Sequence, residues 1–460
     1  MAQRGGPSTM AIDRQKIAAL RQREDSRFVS ERPKSMELLA RSRRHMPAGV
    51  PMSWMALLYN HAPFFVREAA GAYITDVDGH RYLDMNLADT SMACGYGLAA
   101  VAEAVNAQFM RGSQFLLPTE ETIVVAEALA ERFGMPHWQF TLSASNANAE
   151  AIRIARAFTG RERILVFDGK YHGMLDETCQ APGQDGAEPE MRGLPRDAGR
   201  TTDIVPYNDL AAARKILERR ETACVLVEAA ATNTGGVLMP QPGFLDGLHS
   251  LTKAVGTVLI VDEAHTHVCA YGGLKRAWSI ACDVLVLGKA IAGGIPAGLY
   301  GLTDELSAFV GDSVDQTKWG HAPVLAIGGT LFGNALQIAA IRATLEHVLT
   351  EAAQGNAARL GAMLADGIEA GARRRGLRWS AHRLYCRSGY HFAERLPQNN
   401  ADANAAKDAD LRDLMRVYMA NRGIWESIYS ASPAVSLAAE RADIEFYLSV
   451  YEACLDELVA

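Results

Sequence analysis

The chain predicts an α/β fold, with a large domain built on a mainly parallel sheet covered by helices and a smaller α+β domain beside it. Two observations predict it. Between about 90 and 335, helical stretches alternate with short apolar runs: Arg163-Ile-Leu-Val-Phe167, Cys224-Val-Leu-Val-Glu228, Val258-Leu-Ile-Val-Asp262 and Val284-Leu-Val-Leu-Gly288. Runs of β-branched residues and Leu without polar alternation suit strands buried on both faces. After Gly333-Asn334 the pattern changes to a long Ala/Leu-rich helical stretch from about 335 to 375. A strand-like region around Tyr385 to Phe392 and a helical Ile444 to Leu458 follow.

Taken in order, the elements divide the chain into three parts. Ile12 to about Arg44 is charged and helical, and Met46-Pro-Ala-Gly-Val-Pro51 ends it with turn residues. Ala72 to Gly79 reads as two short strands around an Asp-Gly turn, with Tyr82 to Met85 continuing the second. Residues 1–90 therefore form an arm and a small meander that joins the small domain, 91–335 the large domain, and 336–460 the C-terminal domain. Thr141 ends a strand and Ala149 to Phe158 is a helix. Gln180 to Thr201, rich in Gly, Pro and Asp, reads as a long loop, and loops of that length are often functional.

Composition narrows the function. A formal charge of −7 provides no basic field for nucleic acid or anionic lipid, so small-molecule chemistry is favoured. The seven cysteines are scattered singly and contain no CxxC, which fits reduced thiols in the cytoplasm. Met1 to Thr9 is polar, so neither a secretory signal nor a membrane span is visible, and Met10 offers an alternative start.

Ligands of open α/β sheets gather at the carboxyl ends of strands, where Glu228, Asp262 and Lys289 stand. Lys289 follows Asp262 by 27 residues, at the end of the next buried run. A pyridoxal 5'-phosphate (PLP) site needs such a pair, an amine to form an imine with the aldehyde and a carboxylate to keep the ring nitrogen protonated. Alone, a Lys after Gly at a strand end is an ordinary surface charge. Thr141-Leu-Ser143-Ala144-Ser145-Asn-Ala-Asn148 opens a helix with small residues, where backbone N–H groups and the helix dipole would receive a phosphate. Alone, it is a Ser/Asn cap. Tyr171 and His172, in the loop beyond another strand, place an aromatic able to stack on a planar cofactor beside an imidazole.

Together, Ser143-Ala-Ser-Asn-Ala-Asn148, Tyr171-His-Gly173, Val261-Asp-Glu263, Leu287-Gly-Lys-Ala290 with Gly293-Gly294, and Gly328-Gly-Thr330-Leu-Phe-Gly-Asn334 resemble the class III aminotransferases over about residues 40 to 455. Within that family the resemblance is to glutamate-1-semialdehyde aminomutase and the β-phenylalanine and D-phenylglycine aminotransferases. It implies a PLP enzyme of fold type I and a homodimer whose active sites lie at the subunit interface. By the same resemblance Lys289 carries the cofactor as a Schiff base and shuttles the proton, Asp262 pairs with the ring nitrogen, and Tyr171 stacks on the ring. Ser143, Ala144 and Ser145 surround the phosphate, and Thr330 reaches the phosphate of the neighbouring subunit's cofactor. Ala264 lies against the ring, with Glu228, Asn233 and His265 near its phenolic oxygen and His172 beside the ring. The implied activity is transfer of an amino group from an amino donor to a keto acceptor by a ping-pong route. Amino migration, racemisation or elimination share its first steps.

The pocket departs from the family pattern. Relatives acting on amino acids often carry an arginine between Val50 and Tyr59, where this chain has Met52, Trp54 and Met55. Trp54 offers an aromatic pocket wall, or plain core. Arg387 offers a replacement clamp for a substrate carboxylate, or a structural ion pair. Asp262-Glu-Ala-His265 is spelled like a helicase Walker B box, but no GxxxxGK[ST] loop accompanies it. A metal site on His265 and His267, alternating on a strand, lacks a third ligand, and no metal is expected. A non-catalytic binding protein of this fold is disfavoured because both Lys289 and Asp262 are present.

Overall fold

The computed structural model describes residues 12–57, 60–184, 186–233, 236–427 and 433–460. The polar N-terminus with Met10, and Tyr59, lie outside them. The large sheet has seven strands in the order His137–Thr141, Gly298–Leu302, Val284–Leu287, Val258–Asp262, Thr222–Glu228, Arg163–Phe167 and Thr202–Val205. Gly298–Leu302 runs antiparallel to both of its neighbours and the others run parallel. Every residue of the four strands 222–228, 258–262, 284–287 and 298–302 is buried. Alternate side chains serve two cores: Val225, Leu259, Val261 and Leu285 on one face, Cys224, Leu226, Ile260 and Val284 on the other. That accounts for the unbroken apolar runs, since burying each Leu, Ile or Val stabilises by roughly 1.5–3 kcal/mol. Register sets the functional edge, because Val258 pairs with Cys224 and Asp262 therefore lies beside Glu228.

The meander shares a sheet with the far end of the chain. Val66–Ala70, Tyr73–Asp76 and Arg81–Asp84 are antiparallel neighbours, and Ile424–Trp425 joins Arg81–Asp84 in parallel. The helical arm is two helices, Arg14–Ser30 and Pro33–Ser42, because Pro33 has no N–H with which to continue the first.

Four sequence expectations shift. The helix after Thr141 begins at Ala144 rather than Ala149, because Ser143 accepts the N–H of Asn146 and caps it there. The long loop contains a hairpin, Gln180–Gly183 paired with Gly186–Pro189. The stretch 335–375 is two helices, Ala335–His347 and Glu351–Arg374, the second capped by Thr350. The strand-like region 385–392 is broken: Tyr385–Arg387 is a helical turn, and Gly389–His391 pairs with Ser380–His382. Among the described residues no helix is long and apolar enough to cross a membrane.

Glu426, just past the strand Ile424–Trp425, ties this sheet to the helix Arg441–Val459 by accepting the Tyr447 hydroxyl at 3.1 Å. Burial pushes its carboxyl up to about 7, against hydrogen bonds and the charge of Arg416. A carboxyl raised on folding is protonated in the folded chain where the unfolded chain has lost its proton. Its stabilising effect is therefore complete below about pH 4.5 and is lost as pH rises through 7. Glu426→Gln is expected to raise the melting temperature at pH 8 and to change it little at pH 5, an advantage on the order of 1–3 kcal/mol at the higher pH. Melting curves at the two pH values check this.

Candidate active site

The carboxyl edge of the large sheet gathers the polar residues. Asp262 ends its strand fully enclosed, and three N–H donors converge on its carboxylate. His172 Nδ1 donates at 2.8 Å, Asn148 Nδ2 at 2.7 Å and the Ala264 backbone at 2.9 Å. Burial alone would raise this carboxyl, but His172, Ala264 and Asn148 outweigh it and hold Asp262 below the ordinary carboxylate range. Asp262 is thus an ionised group fixed in orientation, and a carboxylate accepts up to about four hydrogen bonds, so one more N–H can be received.

Lys289 follows Leu287 and Gly288 out of the adjacent strand with φ of 48°, a left-handed conformation that a lysine adopts only when its surroundings impose it. Gly288 is needed there, because a Cβ on it would stand 2.9 Å from Cβ and 3.1 Å from the backbone N of Ala144. The head of the helix Ala144–Thr159 is therefore pressed against the lysine turn. Gly173, at φ of 93°, approaches it from the loop carrying His172, and a Cβ on it would collide with Ser145 Oγ. Small residues at these contacts leave helix N–H groups beside the lysine and the Asp262 carboxylate.

Lys289 Nζ lies 2.8 Å from Oδ2 of Asp89, a residue that sequence reasoning missed. From Asp89 a line of polar groups continues through His265, whose Nε2 is 3.9 Å away, to Glu228 Oε2, 3.7 Å from His265 Nδ1. Glu228 also accepts the Tyr171 N–H at 3.2 Å and the Thr232 hydroxyl at 2.7 Å, so its carboxylate ties the Tyr171 loop to this edge. Burial works to raise it, but His265 and Thr232 hold Glu228 below its ordinary value. Tyr171 stands over the edge with the Trp54 ring 5.6 Å from its own, tilted by 60°.

A fixed carboxylate, an amine on a strained turn, a helix head and an aromatic cover are what a phosphorylated aldehyde cofactor requires. The model for aminotransferase class-III matches residues 55–377. The chain belongs to the class-III aminotransferase family. With the family comes its cofactor, pyridoxal 5'-phosphate, which these residues fit. Glutamate-1-semialdehyde 2,1-aminomutase of Anaeromyxobacter dehalogenans is 37% identical over 318 residues, 67% of this chain and 71% of that protein. Among solved structures, a glutamate-1-semialdehyde-aminomutase lysine-to-alanine variant from Pseudomonas aeruginosa, in complex with PMP, superposes with a TM-score of 0.91 at 34% identity, covering 97% of this chain and 99% of that one. The β-phenylalanine aminotransferase from Variovorax paradoxus gives a TM-score of 0.84 at 28% identity, covering 95% and 97%.

This edge brings together most of the residues singled out in the sequence: Asp262, Lys289, His172, Tyr171, Glu228, His265, Ala264, Ser143, Ala144, Ser145 and Trp54. Asn233 sits next to this cluster, its Nδ2 3.4 Å from the Thr232 hydroxyl. Thr330 stands apart, exposed on the loop after Gly328-Gly329, its carbonyl accepting Gln114. Arg387 is 0% exposed; its Nη1 donates to the His265 carbonyl at 3.3 Å, while its Nε and Nη2 have no hydrogen-bond partner among the described residues. His265 and His267 also do not alternate on a strand, because the strand ends at Asp262 and the chain turns. Among the described residues no group of three or more His, Cys, Asp or Glu could hold a metal.

Asn148 and Thr232, to which the sequence assigns no role in the site, hold Asp262 and Glu228 in place. Asn148 belongs to the Ser143–Asn148 motif, where it reads only as part of a helix cap. Its place one helical turn inside the head, facing the sheet edge, is evident only once the helix is known to begin at Ala144.

Proposed function

We propose that this chain moves an amino group from an amine or amino acid, β-amino and aromatic donors included, to a keto acid or aldehyde, with PLP carrying the group between two half-reactions. The observation that carries this is the meeting of buried, ionised Asp262 and the Lys289 amine at one sheet edge beside the helix head at Ala144. When bound, the cofactor supplies an aldehyde for the amine and a ring that withdraws electrons from the reacting carbon. Lys289 holds the cofactor covalently and moves the proton at that carbon. Asp262, oriented by His172 and Asn148, holds the proton of the ring nitrogen. Ser143, Ala144 and Ser145 would hold the phosphate at the helix N-terminus, and Tyr171 and Ala264 would pack against the ring. Glu228, Asn233 and His265 would hold the phenolic oxygen of the ring.

The substrate mouth is aromatic and apolar where the early segment carries Trp54, Met52 and Met55. Met52 and Met55 are about half exposed, at 46% and 45%. That wall suits a bulky apolar or aromatic amine and contains no guanidinium, which favours an intermolecular amino transfer over a reaction that needs a remote carboxylate clamped there. The second reading is an aminomutase, favoured by the relatives' names and served by the same Lys289 and Asp262.

We infer a homodimer as the working form. Phe109, Met110, Leu116 and Leu117 are exposed at 62–78%, beside the loop of Val324 and Leu331, and Gln114 bonds that loop. An apolar patch of this kind on a folded chain marks an interface. A second copy there would bring its own Thr330 loop towards the first copy's phosphate site. The seven cysteines are buried free thiols, which suits a cytoplasmic enzyme.

The test is the absorption spectrum of PLP-loaded protein mixed with single amines, β-amino acids or α-amino acids and no acceptor. Loss of the visible band with lasting growth of the amine form of the cofactor is expected, and the responding donors define the class. Product formed from a single substrate without that accumulation would favour the aminomutase, and no spectral response to any amine would contradict both.

A further inference from the structure

Asp89 lies in a stretch that its own residues do not favour. Leu87, Ala88, Asp89 and Thr90 all have positive φ, at 52°, 47°, 53° and 65°, and none is glycine. Left-handed backbone costs an L-residue roughly 1–2 kcal/mol each, so something must hold this turn. Buried Asp84 does so: its Oδ1 accepts the N–H groups of Asn86 and Leu87, both at 2.8 Å, and its Oδ2 accepts the Tyr96 hydroxyl at 2.6 Å. Leu87 is fully buried and anchors the turn in the core. The turn delivers the Asp89 carboxylate to Lys289 Nζ. Its Oδ2 lies 2.8 Å from that nitrogen, while its Oδ1 has no hydrogen-bond partner. Burial works to raise Asp89, but Lys289 and His265 outweigh it and hold the group well below its ordinary range, so it is a fixed negative charge.

We propose that Asp89 is the ammonium-receiving residue of this site: it holds the amine of Lys289 when that lysine is free and the amine of an incoming donor when the lysine is engaged, and so selects donors with no carboxylate next to the reacting nitrogen. The proposal rests on Lys289 being the cofactor lysine. The donor's nitrogen must arrive where Nζ stood, because it replaces Nζ on the same carbon. It arrives from water as an ammonium ion, which Asp89 attracts; the protons it gives up on forming the new bond leave on the displaced Lys289 amine, which departs as ammonium. A carboxylate one carbon away from that nitrogen would stand within a few ångströms of Asp89 and be repelled by its charge. A carboxylate farther along the donor escapes this repulsion.

Two measurements test it. In the first, Lys289→Ala protein without cofactor is titrated with ethylammonium chloride, a copy of the missing lysine tip, and binding is followed by calorimetry. Saturable binding is expected, weakened by roughly tenfold or more in Lys289→Ala/Asp89→Asn, as for loss of a half-buried charge partner. Equal binding to both proteins, or none to Lys289→Ala, would overturn the proposal. Asparagine tolerates the left-handed turn, and Asp89→Gly, which any positive φ suits, serves as a second variant should the first fail to fold. No cofactor or turnover enters this measurement, so an error in the transamination reading would appear in the donor spectra and leave it untouched. In the second, Asp89→Asn loaded with PLP is compared with the parent for an α-amino acid and for its decarboxylated amine. The ratio of their kcat/KM values should move towards the amino acid by roughly tenfold or more. An unchanged ratio would count against selection by Asp89.

Discussion

Lys289→Ala is expected to abolish the visible band of bound PLP and to lower turnover by at least ~10²–10⁴-fold, the range for loss of a positioned acid–base group. Ser143, Ala144 and Ser145, proposed to receive the phosphate, are untouched, so the variant should still bind the cofactor, detected as fluorescence of the non-covalent complex. The lysine and its neighbour Asp89 are both on left-handed turns, and strain of that sort persists only where surrounding structure over-determines it. Removing the Lys289 side chain should therefore leave the fold in place, and circular dichroism would show this. A variant that kept the band and full turnover would take Lys289 out of the mechanism.

The second large effect is at Asp262. Asp262→Ala should lower kcat by about 10²–10³-fold, comparable to removing a pre-organised group that stabilises developing charge. Cofactor retention should fall far less, because the residues proposed to hold the phosphate and the ring are untouched. The loss also leaves His172 Nδ1 and Asn148 Nδ2 enclosed without their acceptor, at a cost of roughly 1–3 kcal/mol in stability for each buried donor. Asp262→Asn, which keeps the shape but not the charge, separates the two effects: it should retain much of the stability and little of the rate. Stopped-flow measurement of the first half-reaction, paired with urea unfolding, distinguishes these outcomes. An unchanged half-reaction in either variant would contradict the role given to Asp262.

Much of the fold was legible because burial on both faces leaves a plain signature. The runs ending at Glu228, Asp262 and Leu287 are central strands whose alternate residues fill two cores, so polarity could appear only at their ends, where the site is. Glu228, Asp262 and Lys289 could be singled out from that placement. The spacing of small residues at Ser143 to Ser145 pointed to the helix head, although the helix starts earlier than its apolar pattern suggests, since Ser143 and not Asn148 caps it.

What was not legible depends on contacts between distant segments. Asp89 meets Lys289 across 200 residues, through a backbone turn that no local propensity favours and that Asp84 holds from below. The contact of Arg387 with the His265 carbonyl links segments 122 residues apart and leaves no periodicity in an irregular stretch. The pairing of Ile424–Trp425 with Arg81–Asp84 is likewise a long-range parallel contact of only two residues, too short to leave a pattern.

The most direct test of the central claim is to equilibrate the protein with PLP, reduce it with borohydride and map the labelled peptide by mass spectrometry. A pyridoxyl group on Lys289, absent from Lys289→Ala, is the result this structure predicts. Label on another lysine, or none under conditions where a known class-III aminotransferase is labelled, would contradict it.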